Sequence, residues 1–282
     1  MNAPQASSAP FARRLLTVTG MSALGAAYRV MAVSDPDGPD PAPGQFAMLA
    51  AAERWGGGRD ERPYLARAFS IARRLDGECH FLLEDVGPGT RRLCELEAGE
   101  RLWVLGPLGV GFTGPADGRR AILVGGGVGI APLALLQDAL HGAGEDVDVA
   151  VLLGFRDRAR TAGGALLAGA RLASDDGSAG YHGPVTDLLA AELERDGHAV
   201  VYACGPPGML EAVRAMCAAH GTPAQLALEA GMACGFGACY GCVVPRRGGG
   251  YLRVCVDGPV IDAAELDRVD SHAGRPPVGQ PA

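Results

Sequence analysis

Ala121-Ile-Leu-Val-Gly-Gly-Gly-Val-Gly-Ile-Ala-Pro132 sets a short apolar run against a glycine-dense turn. Ala121–Val124 has the length and unbroken apolar character of a strand buried on both faces. Behind the turn, Leu133 to Leu140 carries apolar residues at helical spacing. Such a strand–turn–helix places backbone N–H groups and a helix N-terminus beside a strand end, the geometry that holds a dinucleotide pyrophosphate. Alone, a Gly-rich turn is only a tight connection. Its context here marks Gly125, Gly126, Gly127 and Gly129 as candidate nucleotide-binding residues.

Downstream, the alternation continues. Val147-Asp-Val-Ala-Val-Leu-Leu reads as a second strand, Ala199-Val-Val-Tyr-Ala-Cys204 as a third, and Met209 to His220 as a further helix. Strands alternating with helices predict a parallel α/β sheet of Rossmann type. Cys204, followed by Gly205-Pro-Pro-Gly208, falls where such a sheet binds ligands, so its sulfur stands near a nicotinamide or is simply a buried thiol. Arg156 and Arg158 suit a 2′-phosphate, but Asp157 sits between them, and the residues leave NAD or NADP open.

Upstream the text differs. Leu15-Leu-Thr-Val-Thr, Tyr28-Arg-Val-Met-Ala-Val, the run after Pro43-Gly-Gln-Phe46, His80-Phe-Leu-Leu-Glu-Asp-Val and Arg101-Leu-Trp-Val-Leu are short β segments with turn signals between them. That spacing predicts a small antiparallel barrel. Within it, Arg67-Ala-Phe-Ser70 offers a guanidinium for a phosphate and a hydroxyl for a flavin ring. Taken alone, an exposed Arg and a strand Ser are the simpler reading. Gly87-Pro-Gly-Thr90 offers N–H groups and a hydroxyl to a phosphate, or is a plain turn.

Near the C-terminus four cysteines fall as Cys234-x4-Cys239-x2-Cys242-x12-Cys255. This is the plant-type spacing that ligates a 2Fe-2S cluster. Gly235, Gly237 and Gly241 let the loop curl and bring its amides to the sulfurs. Structural zinc favours paired Cys-x2-4-Cys motifs, present only once here. Disulfides need an oxidising compartment that nothing in the chain indicates. Cys79, Cys94 and Cys217 have no spaced partners, and the six histidines show no metal-type spacing.

Composition sets the frame. A chain of 282 residues suggests about two domains. All 25 basic residues are Arg, so single arginines carry less weight than usual, and the net charge of −7 argues against a nucleic-acid surface. No apolar run reaches the roughly 18 residues of a membrane helix. The opening residues lack a charged segment followed by an apolar one, so they read as a disordered leader rather than a signal peptide, and a cytoplasmic location is expected.

Taken together, these residues resemble the electron-transfer subunits of NAD-linked type B dihydroorotate dehydrogenases, within the ferredoxin–NADP reductase superfamily. The most specific part is Leu228-Glu-Ala-Gly-Met-Ala-Cys-Gly-Phe-Gly-Ala-Cys-Tyr-Gly-Cys242, backed by Val254-Cys-Val-Asp-Gly-Pro-Val260. Pro43-Gly-Gln-Phe, Gly106-Pro-Leu-Gly, the Gly125–Pro132 run and Cys204-Gly-Pro match the wider superfamily.

The residues divide the chain into four parts: a leader at 1–10, a β-barrel at 11–115, an α/β domain at 116–225 and a 2Fe-2S module with tail at 226–282. The resemblance, which covers about Arg14 to Glu265, implies FAD in the barrel and NAD in the α/β domain. It also implies that Arg67, Ala68, Phe69 and Ser70 flank the FAD, that Leu82, Leu83 and Glu84 contact it, and that Gly89 and Thr90 hold phosphate. Electrons would come from the FMN of a separate catalytic subunit, in a heterotetramer of two plus two, through the cluster and FAD to NAD+, in pyrimidine (UMP) biosynthesis. Related subunits of this architecture serve ferredoxin or sulfur and hydrogen metabolism, which is the alternative. Two positions depart from the family pattern. Glu84 stands where a basic residue is common, so its match rests on backbone contacts. Pro88 replaces a frequent Lys.

Overall fold

The computed structural model describes residues 13–56, 63–116, 118–142, 147–195 and 198–269. The expected leader and the last part of the tail lie outside them. Six strands form the first half: β1 (Arg13–Leu24), β2 (Tyr28–Ser34), β3 (Phe46–Ala51), β4 (Arg67–Leu75), β5 (Glu78–Glu84) and β6 (Arg101–Leu108). They close into an antiparallel barrel in the order β1-β2-β5-β4-β3-β6. Met31, Leu49, Phe81, Leu83 and Leu102 fill it. After β5 comes a short helix, α1 (Pro88–Cys94), where the sequence suggested only a turn. Proline at the first helical position explains this, because its missing N–H has no partner there anyway.

The second half is a sheet of β7 (Arg120–Gly126), β8 (Val149–Phe155), β9 (Ala170–Ser174), β10 (Tyr181–His182), β11 (Ala199–Cys204) and β12 (Ala224–Ala227), all parallel. Its helices are α2 (Ala131–Gly142), α3 (Val185–Arg195) and α4 (Pro207–His220). Every residue of β7 is buried, as a strand covered on both faces requires. Ala121 and Leu123 face α2, whereas Ile122 and Val124 pack with Leu189 of α3 and Leu210 of α4. The strand Ala199–Cys204, expected third, is preceded by β9, β10 and α3, whose polar, glycine-rich surroundings hide their periodicity.

Helix α2 joins the halves. Leu133, Leu136 and Leu140 bury against the sheet, while Leu135 enters the barrel cluster. This two-sided burial is why its apolar pattern has almost no polar face. The expected boundary at 225/226 falls inside β12. The chain beyond returns β15 (Val260–Asp262) antiparallel to β12 on the sheet edge, after a small hairpin of β13 (Val243–Pro245) and β14 (Tyr251–Arg253).

Candidate functional site

Where β7, β8 and β11 end, a cleft of about 760 Å3 opens between the sheet and the barrel. Ligands of open α/β sheets bind at this carboxyl edge. Gly126 and Gly127 form part of its wall. A Cβ on Gly126 would stand 2.8 Å from Pro206 Cδ and 2.7 Å from Met209 Sδ, and Gly127 has φ +55°, so a side chain is disfavoured at both positions.

Gly125, Gly129 and Cys204 are not on that wall. A Cβ at Gly125 would lie 2.9 Å from Ile130 Cγ2, and one at Gly129 2.6 Å from the Cys204 carbonyl oxygen. These two glycines let β7, the 3-10 turn Gly127–Ile130 and β11 pack closely, and so hold the wall rather than form it. Cys204 is 3% exposed. Burial, then the nearby Glu229 carboxylate, pushes its thiol well above the usual range. Glu229 lines the cleft, and the surrounding protein raises its carboxyl as well.

The barrel closes the cleft with Tyr28 and Glu84. Arg160, on the 3-10 segment Arg158–Leu166, donates through Nε to Glu84 Oε1 at 3.2 Å and through Nη1 to Asp157 Oδ2 at 2.6 Å. Glu84 therefore turns its side chain to the nucleotide half and keeps only its backbone in β5. Burial, then Glu84, pushes the Tyr28 hydroxyl up to about 12.

A second feature lies in the barrel. β4 pairs with β5 only over Ile71–Leu75, and with β3 only over Arg67–Ser70. Leu82, Leu83 and Glu84 pair with β2 alone. The ladder between β4 and β5 thus ends at Ile71 and Phe81. Beyond it, among the described residues, the edges of Arg67–Ser70 and Leu82–Glu84 hold main-chain donors and acceptors with no ladder partner, which a planar ring with polar edges could satisfy. Leu82 and Leu83 are fully buried, so they offer backbone and not side chain to that slot.

Arg67 leans on α1. A Cβ at Gly89 would meet Arg67 Nε at 2.6 Å, so only glycine lets the guanidinium approach the first turn. Thr90 Oγ1 accepts from Val86 N at 2.8 Å and donates to the Gly87 carbonyl at 3.0 Å, which fixes that turn. A guanidinium beside the first turn of a helix fits a phosphate.

The third feature is the cysteine loop. Cys242 and Cys255 are buried with their sulfurs 3.2 Å apart, Cys234 is partly buried, and Cys239 is exposed. Cys234 contacts Cys239, so the thiols fall into two pairs. Among the described residues, no group of three or more His, Cys, Asp or Glu forms a ready single-metal site. Two pairs suit two irons better than one zinc. Burial alone would raise the Cys234 thiol, but N–H groups of Phe236, Cys239 and Ala238 aimed at its sulfur bring it down to about 6. Amide donors converging on thiolate sulfur are the surroundings an iron–sulfur cluster uses. Burial, then the shared contact with Cys242, pushes Cys255 up to about 12.

Gly235 and Gly237 take φ +79° and +88°, and Cβ atoms there would strike Met48 and Val256. The loop thus rests on β3, and Met48 is the register partner of Ala68 in β4. The contact between loop and barrel slot was hidden from the sequence because Met48 is an ordinary strand residue.

The model of the iron-sulfur cluster binding domain of dihydroorotate dehydrogenase B matches residues 229–267. The chain is 40% identical over 235 residues to the dihydroorotate dehydrogenase B (NAD(+)) electron transfer subunit of Geobacillus thermodenitrificans, covering 79% of this chain and 86% of that one. It is 36% identical to the same subunit of Desulforamulus reducens, with 82% and 90% covered. A solved NADH-dependent reduced ferredoxin-NADP oxidoreductase superposes with a TM-score of 0.75 at 25% identity, covering 90% of each chain. A ferredoxin reductase of carbazole 1,9a-dioxygenase shares the fold at a TM-score of 0.65 and 24% identity, over 76% of this chain and 68% of that one.

Proposed function

The chain belongs to the family of dihydroorotate dehydrogenase B electron transfer subunits, and from that premise we propose how its three features divide the work. It is the electron-transfer part of an oxidoreductase, and the substrate is oxidised on a catalytic partner subunit. Cys234, Cys239, Cys242 and Cys255 ligate a 2Fe-2S cluster, the first two on one iron and the last two on the other. The slot between β4 and β5 takes the flavin of FAD, with Arg67, Gly89 and Thr90 at its phosphates. The cleft takes NAD, with Gly126 and Gly127 against its pyrophosphate.

When bound, the cluster supplies one-electron transfer, and the flavin supplies conversion between one-electron and hydride chemistry. The protein's own contribution is position and electrostatics. The loop amides favour thiolate over thiol at Cys234. The main-chain edges of Arg67–Ser70 and Leu82–Glu84 orient a ring between two strands fixed on their outer sides by β3 and β2. The Glu84–Arg160 pair fixes the barrel against the nucleotide half, so that ring and cleft keep one relation.

One observation carries the reading: the cysteine loop sits on Met48, the register partner of Ala68 beside the slot. Exposed Cys239, with Phe236 and Tyr240 also exposed, is the side from which electrons enter. There the partner docks, a subunit bearing FMN, in an assembly of two copies of each, located in the cytoplasm and serving pyrimidine synthesis. The test is to purify the chain with its neighbouring partner and measure dihydroorotate-dependent NAD+ reduction. A coloured complex without that activity, or a partner lacking FMN, would favour a ferredoxin-linked reductase, to which the 25% identical solved oxidoreductase also points.

A further inference from the structure

We propose that Arg253 raises the reduction potential of the cluster, its guanidinium lying over the cysteine loop and favouring the more negative, reduced state; this rests on the loop ligating a 2Fe-2S cluster. Arg253 ends β14, two residues before Cys255. Its side chain reaches back over the loop. A Cβ on Gly237 would stand 3.3 Å from Arg253 Nη1 and 3.9 Å from Cζ. Gly237 lies between Cys234 and Cys239 in the chain. One charged group is thus tied by backbone to Cys255 and by contact to the turn that carries Cys234 and Cys239.

The guanidinium is held there from several sides. Cζ stands 5.5 Å from the centroid of the Tyr240 ring, within the reach of a cation–π contact. Asp257 Oδ2 accepts from the Arg253 main-chain N at 2.7 Å and from Nε at 3.4 Å. The carboxylate therefore takes the main-chain side and the Nε edge, while Nη1 is left over the loop. The turn that follows closes on Arg253 itself, with Val256 N and Asp257 N donating to its carbonyl at 2.9 and 2.8 Å. Val243 of β13 is its register partner, and Val254 N donates to the Cys242 carbonyl at 3.0 Å. The hairpin that places Cys242 and Cys255 places the arginine as well. Its other two arginines, Arg246 and Arg247, turn instead to Glu265 and Asp267.

A cluster bound by four thiolates gains one negative charge when it accepts an electron. A fixed cation beside it stabilises that state more than the oxidised one, and the potential rises; local charge is one of the levers on such potentials. An arginine suits the task because it stays charged at every working pH. The Arg253 side chain is 33% exposed, so water and salt screen it in part and the effect is moderate.

The test is a potentiometric titration of the purified, cofactor-loaded protein, with the reduced cluster followed by EPR. Arg253→Gln should lower the midpoint by about 30–60 mV, a three- to tenfold change in the one-electron reduction equilibrium. Arg253→Met, which keeps an apolar stem against Tyr240, should shift it as Gln does. Arg253→Lys, which keeps the charge, should restore most of the difference. A midpoint unchanged in both neutral variants overturns the proposal, and so does an equal shift in Lys and Gln, the mark of a packing effect. Loss of the cluster from both neutral variants would make Arg253 a structural residue, which also overturns it. A wild type that holds flavin but no iron, and gives no EPR signal on reduction, overturns the reading of the loop, and the proposal with it.

Discussion

Gly235 rests on Met48 so closely that a Cβ added to it would stand 2.5 Å from Met48 Cγ. Two separate stretches of chain, the cysteine loop and barrel strand β3, are thereby locked side by side. β3 passes the contact on, since Met48 faces Ala68 in the ladder.

Replacing Gly235 should therefore do more than strain a turn. Gly235→Ala meets both a positive φ and the Met48 side chain, at a cost of roughly 1–3 kcal/mol. Iron and acid-labile sulfide per chain should fall, and Met48→Ala added to it should recover part of the loss. Full cluster content in Gly235→Ala would refute the contact as a constraint.

Cys239→Ser should remove most of the cluster and leave the flavin in place, because the loop and the β4–β5 slot are built from different strands. Visible absorption and iron analysis separate the two. Parallel loss of flavin and iron would mean that the slot depends on the loop.

Arg67→Ala should weaken flavin retention by about 10- to 100-fold, the effect of deleting a hydrogen bond to a charged group. Iron content should be unchanged. Equilibrium dialysis of the released flavin gives the number.

Across the cleft, Glu84→Gln with Arg160→Gln forms a double-mutant cycle on the pair that joins the halves. Both side chains are partly exposed, and a coupling of about 0.5–1 kcal/mol is expected from denaturant midpoints. A coupling near zero would remove Glu84–Arg160 as a tie between barrel and sheet.

Acid sensitivity should trace in part to Glu192. Burial alone would raise this carboxyl, but its hydrogen bond from Arg120 and the charges of Arg120, Arg171 and Arg195 lower it overall. A depressed folded value contributes stability that is present above the unfolded carboxyl range near 4.3, and is lost as pH falls through the folded value. Glu192→Gln should be less stable than wild type at pH 7, and its stability should fall less between about pH 5 and 3.

The separate parts are legible in the order of residues alone. Continuous apolar runs announce strands covered on both faces, because a parallel strand has no solvent side, and Ala121–Val124 proved to be the fully buried β7. The cysteine spacing announced its chemistry because ligands converging from one loop must be close in sequence. The barrel was legible from short strands between turns. Helix α1 was not, since its opening Pro and Gly resemble a turn until the helix hydrogen bonds are seen.

How the parts meet emerges from the folded chain. Gly125 and Gly127 look alike in sequence, yet one packs against Ile130 and the other lines the cleft. Arg156, Asp157 and Arg158 are neighbours in the chain but turn to the cleft, to Arg160 and to Ser178. Asp175 joins Arg156 on the cleft wall because β9 lies parallel beside β8, and Met48 meets Gly235 because the barrel closes. Local spacing encodes what one loop or strand can hold. Contacts between distant segments depend on strand order and register, which arise from packing the whole chain.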